Sequence, residues 1–203
     1  MNFAPAKRQT DAMKDHRPTI LEHMLPLVPF TGWTEHTLAQ AGKDSGLESA
    51  PIHYAFPGGI KDVIDYFFRC ADENLAEACP ETELSTLRMP GRIEKIILTR
   101  LQQWLPHREA VRRFVAARLL PWNKFAACQS LYRTVDLMWK LAGDNSTNFS
   151  FYTKRMTLAA VYSSTLLFWL NDASDNQTDT REFLERRLQN VADFGRWKKK
   201  MAG

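Results

Sequence analysis

At 203 residues the chain can bury a substantial core, as one domain or as a small head with a larger body. Its formal charge of +4 is local: residues 181–203 hold seven basic and three acidic side chains, so residues 1–180 are neutral as a whole. Three cysteines (Cys70, Cys79, Cys128) without a Cys-x-x-Cys argue against a disulfide framework or a structural zinc, and the longest nearly apolar run, Leu158–Leu170, falls short of the about twenty residues that a membrane span needs.

Residues 1–15 carry no apolar signal-peptide core and are expected as a flexible leader. Pro18 suits a first helical position, and Ile20, Leu21, Met24 and Leu25 follow until Pro26 and Pro29 end the run. Thr34 predicts an N-cap for a short helix through Ala41, Gly46 makes a turn, and Leu47–Phe56 takes the place of a recognition helix. Pro57-Gly58-Gly59 breaks the chain. Ile60, Val63, Ile64, Phe67, Phe68, Ala71, Leu75 and Ala78 then repeat at helical spacing.

Further stripes follow at Ile93/Ile96/Ile97/Leu101/Trp104, Val111/Phe114/Val115/Leu119 and Cys128/Leu131/Tyr132/Val135/Met138, punctuated by Pro106 and Pro121. A polar loop, Gly143 to Asn148, precedes an apolar helix from about Phe151 to Leu170, and a last helix begins near Asp179. No strand-like alternation persists. The pattern predicts an all-α chain of about nine helices, with a helix-turn-helix-like head over 16–79, a helical body over 80–197 and a basic tail over 198–203.

The head has the layout of a DNA reader with the wrong charge. Between His16 and Ala78 stand four basic residues and nine acids, a balance of −5 that would repel phosphates where DNA binding needs counterion release. In regulators of the TetR class a Tyr near the end of the recognition helix contacts phosphate; His53 occupies that place here, with no Lys or Arg beside it. The C-terminal Trp197 beside Lys198-Lys199-Lys200 reads either as an interfacial anchor on an anionic membrane, at about 1 kcal/mol per basic residue, or as a solvated tail.

Catalytic chemistry finds no constellation. No two of His16, His23, His36, His53 and His107 are four residues apart, and no Gly-rich phosphate loop or G-x-S-x-G occurs. Neither a metal site, a cofactor site nor a catalytic residue is expected.

The segment Gly143-Asp144-Asn145-Ser146-Thr147-Asn148-Phe149-Ser150-Phe151-Tyr152-Thr153-Lys154-Arg155 closely resembles the signature of the COQ9 family, accessory proteins of ubiquinone biosynthesis. Other pieces agree in order, among them Gly32-Trp33-Thr34, Ala55-Phe56-Pro57-Gly58-Gly59 and Leu131-Tyr132-Arg133-Thr134-Val135-Asp136, so the likeness spans about residues 17 to 195. The resemblance implies a TetR-like fold that has lost DNA binding, with a helical ligand-binding body. It implies a non-enzymatic homodimer that binds phospholipid and isoprenoid quinone precursors and presents them to the COQ7-type di-iron demethoxyubiquinone hydroxylase at a membrane surface. That surface is the inner membrane, on its cytoplasmic side in a bacterium or its matrix side in a mitochondrion.

By position, the resemblance assigns Met138, Trp139, Phe151 and Tyr152 to a patch for the hydroxylase and the membrane, and Arg155 to a lipid head group, where a guanidinium suits a phosphate. Trp197 would add to membrane contact. Asn148 stands where the family carries Asp. A polyprenyl tail is expected among helices bearing Phe114, Leu119, Tyr132, Val135, Val161, Tyr162, Thr165 and Phe168. The residues offer weaker support of their own: Phe151 to Leu170 puts aromatics on several faces, more than one buried stripe requires, which suits a ligand cavity or a core plus dimer face. The alternative is a TetR-like ligand-responsive transcriptional regulator.

Overall fold

Among the described residues eleven α-helical segments follow in order: α1 (Arg17–Met24), α2 (Val28–Thr31), α3 (Glu35–Asp44), α4 (Ser49–Ala55), α5 (Ile60–Ala78), α6 (Glu81–Leu84), α7 (Met89–Trp104), α8 (Arg108–Arg118), α9 (Lys124–Leu141), α10 (Phe149–Trp169) and α11 (Thr178–Met201). Two of them, α2 and α6, are single turns, which leaves nine of seven residues or more, and no strand occurs among the described residues. The computed structural model describes residues 15–47, 49–118, 124–144, 146 and 149–201, with side chains at all of these except 49–51, 118, 124–128, 149–150, 194–195 and 197–201. The leader, Leu119, Asn148 and the side chains of Cys128 and Trp197 therefore lie outside the description. The expected all-α fold is found, and α11 runs on as helix through residues 198–201, where a separate tail was expected.

The chain divides into two compact units, Met1–Glu73 with Pro106–Asn123, and Asn74–Leu105 with Lys124–Gly203. In the first, α1 buries Ile20, Leu21 and Met24, and α3 buries Leu38 and Ala41. Thr34 Oγ1 accepts from Thr37 N at 3.1 Å and starts α3, as its residue type predicts. Gly46 sits at φ +73, a left-handed backbone that only glycine adopts without strain, and so turns α3 into α4. The Glu35 carboxylate accepts from Ile60 N at 2.9 Å, tying the start of α3 to the start of α5.

Helix α8 belongs to this first unit, whereas the expected bounds put residues 80–197 together in the body. Trp33 Nε1 donates to Ala110 O at 2.9 Å, and Arg113 donates to Pro29 O at 2.8 and 3.1 Å. The Phe68 and Phe114 rings meet at 4.4 Å between centroids, next to Phe67 and Trp33. A periodic stripe shows that a helix has a buried face, but not against which neighbour.

The second unit is built on α7, α9, α10 and α11 around Ile96, Ile97, Leu101, Val135, Met138, Tyr162, Trp169 and Leu184, all buried. Arg92 Nη1 donates to Ala142 O at 2.9 Å, holding the end of α9 to the start of α7, and Gly143 (φ +86) turns the chain there. Between α10 and α11, Asp172 Oδ2 accepts from Thr180 N at 2.9 Å and from its hydroxyl at 2.5 Å, which caps the first turn of α11 from outside it. Burial raises the Asp172 carboxyl, but hydrogen bonds from Ser174 and Thr180 outweigh it and bring it down to about 2. Among the described residues no helix is long and apolar enough to cross a membrane.

Candidate functional site

The second unit contains an apolar groove of about 220 Å³. It is walled by the start of α7 (Met89, Pro90, Ile93) and the middle of α11 (Leu188, Val191, Ala192), together with Thr157, Leu158 and Val161 of α10. Trp139 of α9 closes one side. The two polar groups in this lining are both engaged: Thr157 Oγ1 donates to Thr153 O at 2.8 Å, and Trp139 Nε1 donates to Lys154 O at 3.0 Å. An occupant therefore meets methyl, methylene and indole surface, and a charged or strongly polar group would lose its hydration for nothing in return.

Beside the groove, the α9–α10 turn holds a cluster of ions. Arg155, 4% exposed, brings Nε and Nη2 each to 2.7 Å from Asp136 Oδ1, and its Nη1 lies 3.5 Å from Asp144 Oδ2. Its guanidinium also covers the Phe151 ring at 3.3 Å. Lys154 Nζ stands 2.5 Å from Asp144 Oδ1, and Lys140 Nζ 2.7 Å from Asp136 Oδ2. Burial raises both carboxyls, but the bonds from Lys140 and Arg155 hold Asp136 below the ordinary range, and those from Lys154 and Ser146 do the same for Asp144.

Two of the expected residues, Trp139 and Val161, line the groove together. Val135, Tyr162 and Thr165 are buried in the same unit but do not line it; the Thr165 hydroxyl is spent on Val161 O at 2.8 Å. Phe168 stacks on Phe183 of α11 at 4.5 Å, and Tyr132 is half exposed. Phe114 lies in the first unit, against Phe68. In the expected patch, Tyr152 is 64% exposed and Phe151 half-buried, while Met138 is fully buried and offers no surface.

Arg155 needs the largest correction. A lipid phosphate would have to compete with two carboxylates already in contact with this guanidinium, which here ties α9 to α10. Asp136, nineteen residues away in sequence, is the partner that spacing alone did not reveal. The walls from α7 and α11 lie outside the expected set; Leu184, Leu188 and Val191 recur at helical spacing, which marks a buried face but reads equally well as closed core. Among the described residues no group of His, Cys, Asp and Glu is arranged to hold a metal ion.

A family model described as COQ9 matches residues 124–195, the segment that carries α9, α10 and most of α11. The chain is 31% identical over 196 residues to the mitochondrial ubiquinone biosynthesis protein COQ9 of Homo sapiens, covering 92% of this chain and 60% of that protein. It is 31% identical over 184 residues to the mitochondrial ubiquinone biosynthesis protein coq9 of Schizosaccharomyces pombe, covering 90% of this chain and 72% of that one. The chain thus spans about three-fifths of the length of its human, rat and bovine relatives (60%, 61% and 60%). Among solved structures, the TetR transcriptional regulator from Nitrosomonas europaea ATCC 19718 superposes with a TM-score of 0.73 at 22% identity, covering 88% of this chain and 99% of that one; the likeness concerns the fold.

Proposed function

This chain belongs to the COQ9 family, and from that premise we propose that it serves ubiquinone biosynthesis as a non-enzymatic protein that holds the isoprenoid tail of a quinone precursor in the groove beside Trp139. The observation that carries the reading is the groove itself, an open volume of about 220 Å³ whose polar groups are already spent. It exceeds the roughly 150 Å³ cavity that suffices for benzene and falls short of the roughly 300 Å³ at which pockets for drug-sized ligands begin. It suits a prenyl segment, with the quinone ring and the rest of the tail outside. The exposed Tyr152 with Phe151 is the face we assign to the COQ7-type hydroxylase, and the helical run of Lys198–Lys200 at the end of α11 to an anionic membrane surface.

Mass spectrometry of organic extracts from gently purified protein tests this directly. Isoprenoid quinone or another isoprenoid in near-stoichiometric amount is expected, and Val161→Trp, which fills the groove, should empty it. Protein that comes clean and also fails to take up a short-chain ubiquinone would end the reading. The competing regulator is favoured by the α3–Gly46–α4 layout and by the fold shared with a TetR regulator. With His53 and Tyr54 exposed on α4 and a balance of −5 over residues 16–78, no salt-dependent retardation of DNA is expected.

A further inference from the structure

Trp139 is both a wall of the groove and a member of the charged turn. Its indole edge donates to Lys154 O at 3.0 Å, and the Lys154 ammonium stands 5.7 Å from the centre of its ring. That ammonium is fixed in turn by Asp144 at 2.5 Å and by Ser146 Oγ at 3.4 Å. One residue on, Arg155 pairs with Asp136, which lies one helical turn before Trp139 on α9, and its Nη1 is 3.4 Å from Phe151 O. Phe151 in turn meets the Tyr152 ring at 5.2 Å. The side of the groove and the exposed start of α10 are therefore built from the same few bonds.

We infer that Asp144 and Lys154 are positioning residues that link the groove wall to the start of α10, so that filling the groove orders residues 150–157 and with them the Tyr152 face. The inference rests on the apolar-occupant reading above and adds its regulation. An occupant that presses on the indole cannot move it without moving the Lys154 carbonyl or breaking the bond to it. Close-packed contacts of this kind shift between discrete arrangements and do not stretch. Linkage makes the effect reciprocal: whatever binds at Tyr152 tightens the groove for its occupant by the same factor. A protein built this way would present a competent docking face chiefly when loaded.

Hydrogen–deuterium exchange on the full chain, with farnesol as the probe, tests the link. In the wild type, saturating farnesol should slow exchange over 150–157 by about fivefold, the lower end of common couplings between sites. Lys154→Met should still take up farnesol, with affinity reduced by no more than that factor, but lose the protection; Lys154→Arg should restore it. Bound farnesol with unchanged exchange over 150–157 overturns the inference, and so does full protection in Lys154→Met. Should farnesol fail to bind at all, the apolar-occupant reading is what falls. The link is then judged without ligand: Lys154→Met and, independently, Asp144→Asn must speed exchange in the peptide carrying Trp139, and wild-type exchange in both would overturn it.

Discussion

The first unit and the second spend their buried polar groups differently. In the first, the described hydrogen bonds mostly end helices or turn the chain: Thr34 starts α3, Glu35 receives the first turn of α5, and Trp33 ties down α8. Its core includes an aromatic run from Trp33 through Phe67 and Phe68 to Phe114. The second unit leaves an apolar volume open and places a nearly buried guanidinium and two carboxylates beside it. Buried ions stabilise poorly compared with packed hydrocarbon, so stability alone is a weak explanation for them. The contrast teaches that the first unit follows the ordinary rules of packing, while the features that break them have gathered around the groove.

Arg155→Ala presses hardest on that contrast. It takes from Asp136 and Asp144 the guanidinium they share in a nearly buried turn, leaving each paired with its lysine, and a loss of about 3–5 kcal/mol is expected by chemical denaturation. Removing Asp136 as well should recover part of it; a loss below about 1 kcal/mol would mean that the cluster is hydrated and the two units less different than they look.

The remote cap of α11 comes next. Asp172→Asn should cost about 1–2 kcal/mol at neutral pH. Because the folded carboxyl titrates at about 2, below its value in the unfolded chain, its contribution is full above about pH 4 and fades as the pH falls towards 2. The gap between wild type and variant should therefore close on acidification, and a gap independent of pH would deny the cap its charge. In the head, Thr34→Ala should cost about 1 kcal/mol, the ordinary value of an N-cap, readable as a small drop in the denaturation midpoint. The smallest effect is expected for Lys140→Ala. Its side chain is 67% exposed despite the pair with Asp136, and the change should stay within about 0.5 kcal/mol. A larger loss would extend the buried cluster to the surface.

Much of this architecture is readable without coordinates. Helix α5 begins after Pro57-Gly58-Gly59 and ends at Ala78 as its apolar spacing predicts, and Thr34 and Gly46 act as their residue types require. These are local matters, decided by backbone sterics and by the first few neighbours. The signature from Gly143 to Arg155 covers the turn between α9 and α10 and the first residues of α10. The roles within it were harder to read. Met138 and Trp139 are neighbours in the expected patch, yet one is fully buried and the other lines a groove, because a shift of one residue rotates a side chain by about 100° around the helix. Arg155 carries the charge a phosphate would want, and only the fold shows two carboxylates already in place.

The sequence by itself determined the all-α class, the helix ends and turns, the acidic stretch over residues 16–78 and the family signature, since each depends on residues close together in the chain. Tertiary structure alone decided that α8 joins the first unit, that α7, α10 and α11 wall a groove, and that Arg155 is held by Asp136 and Asp144. Those outcomes depend on which buried face meets which, and periodicity gives a helix a face without naming its partner.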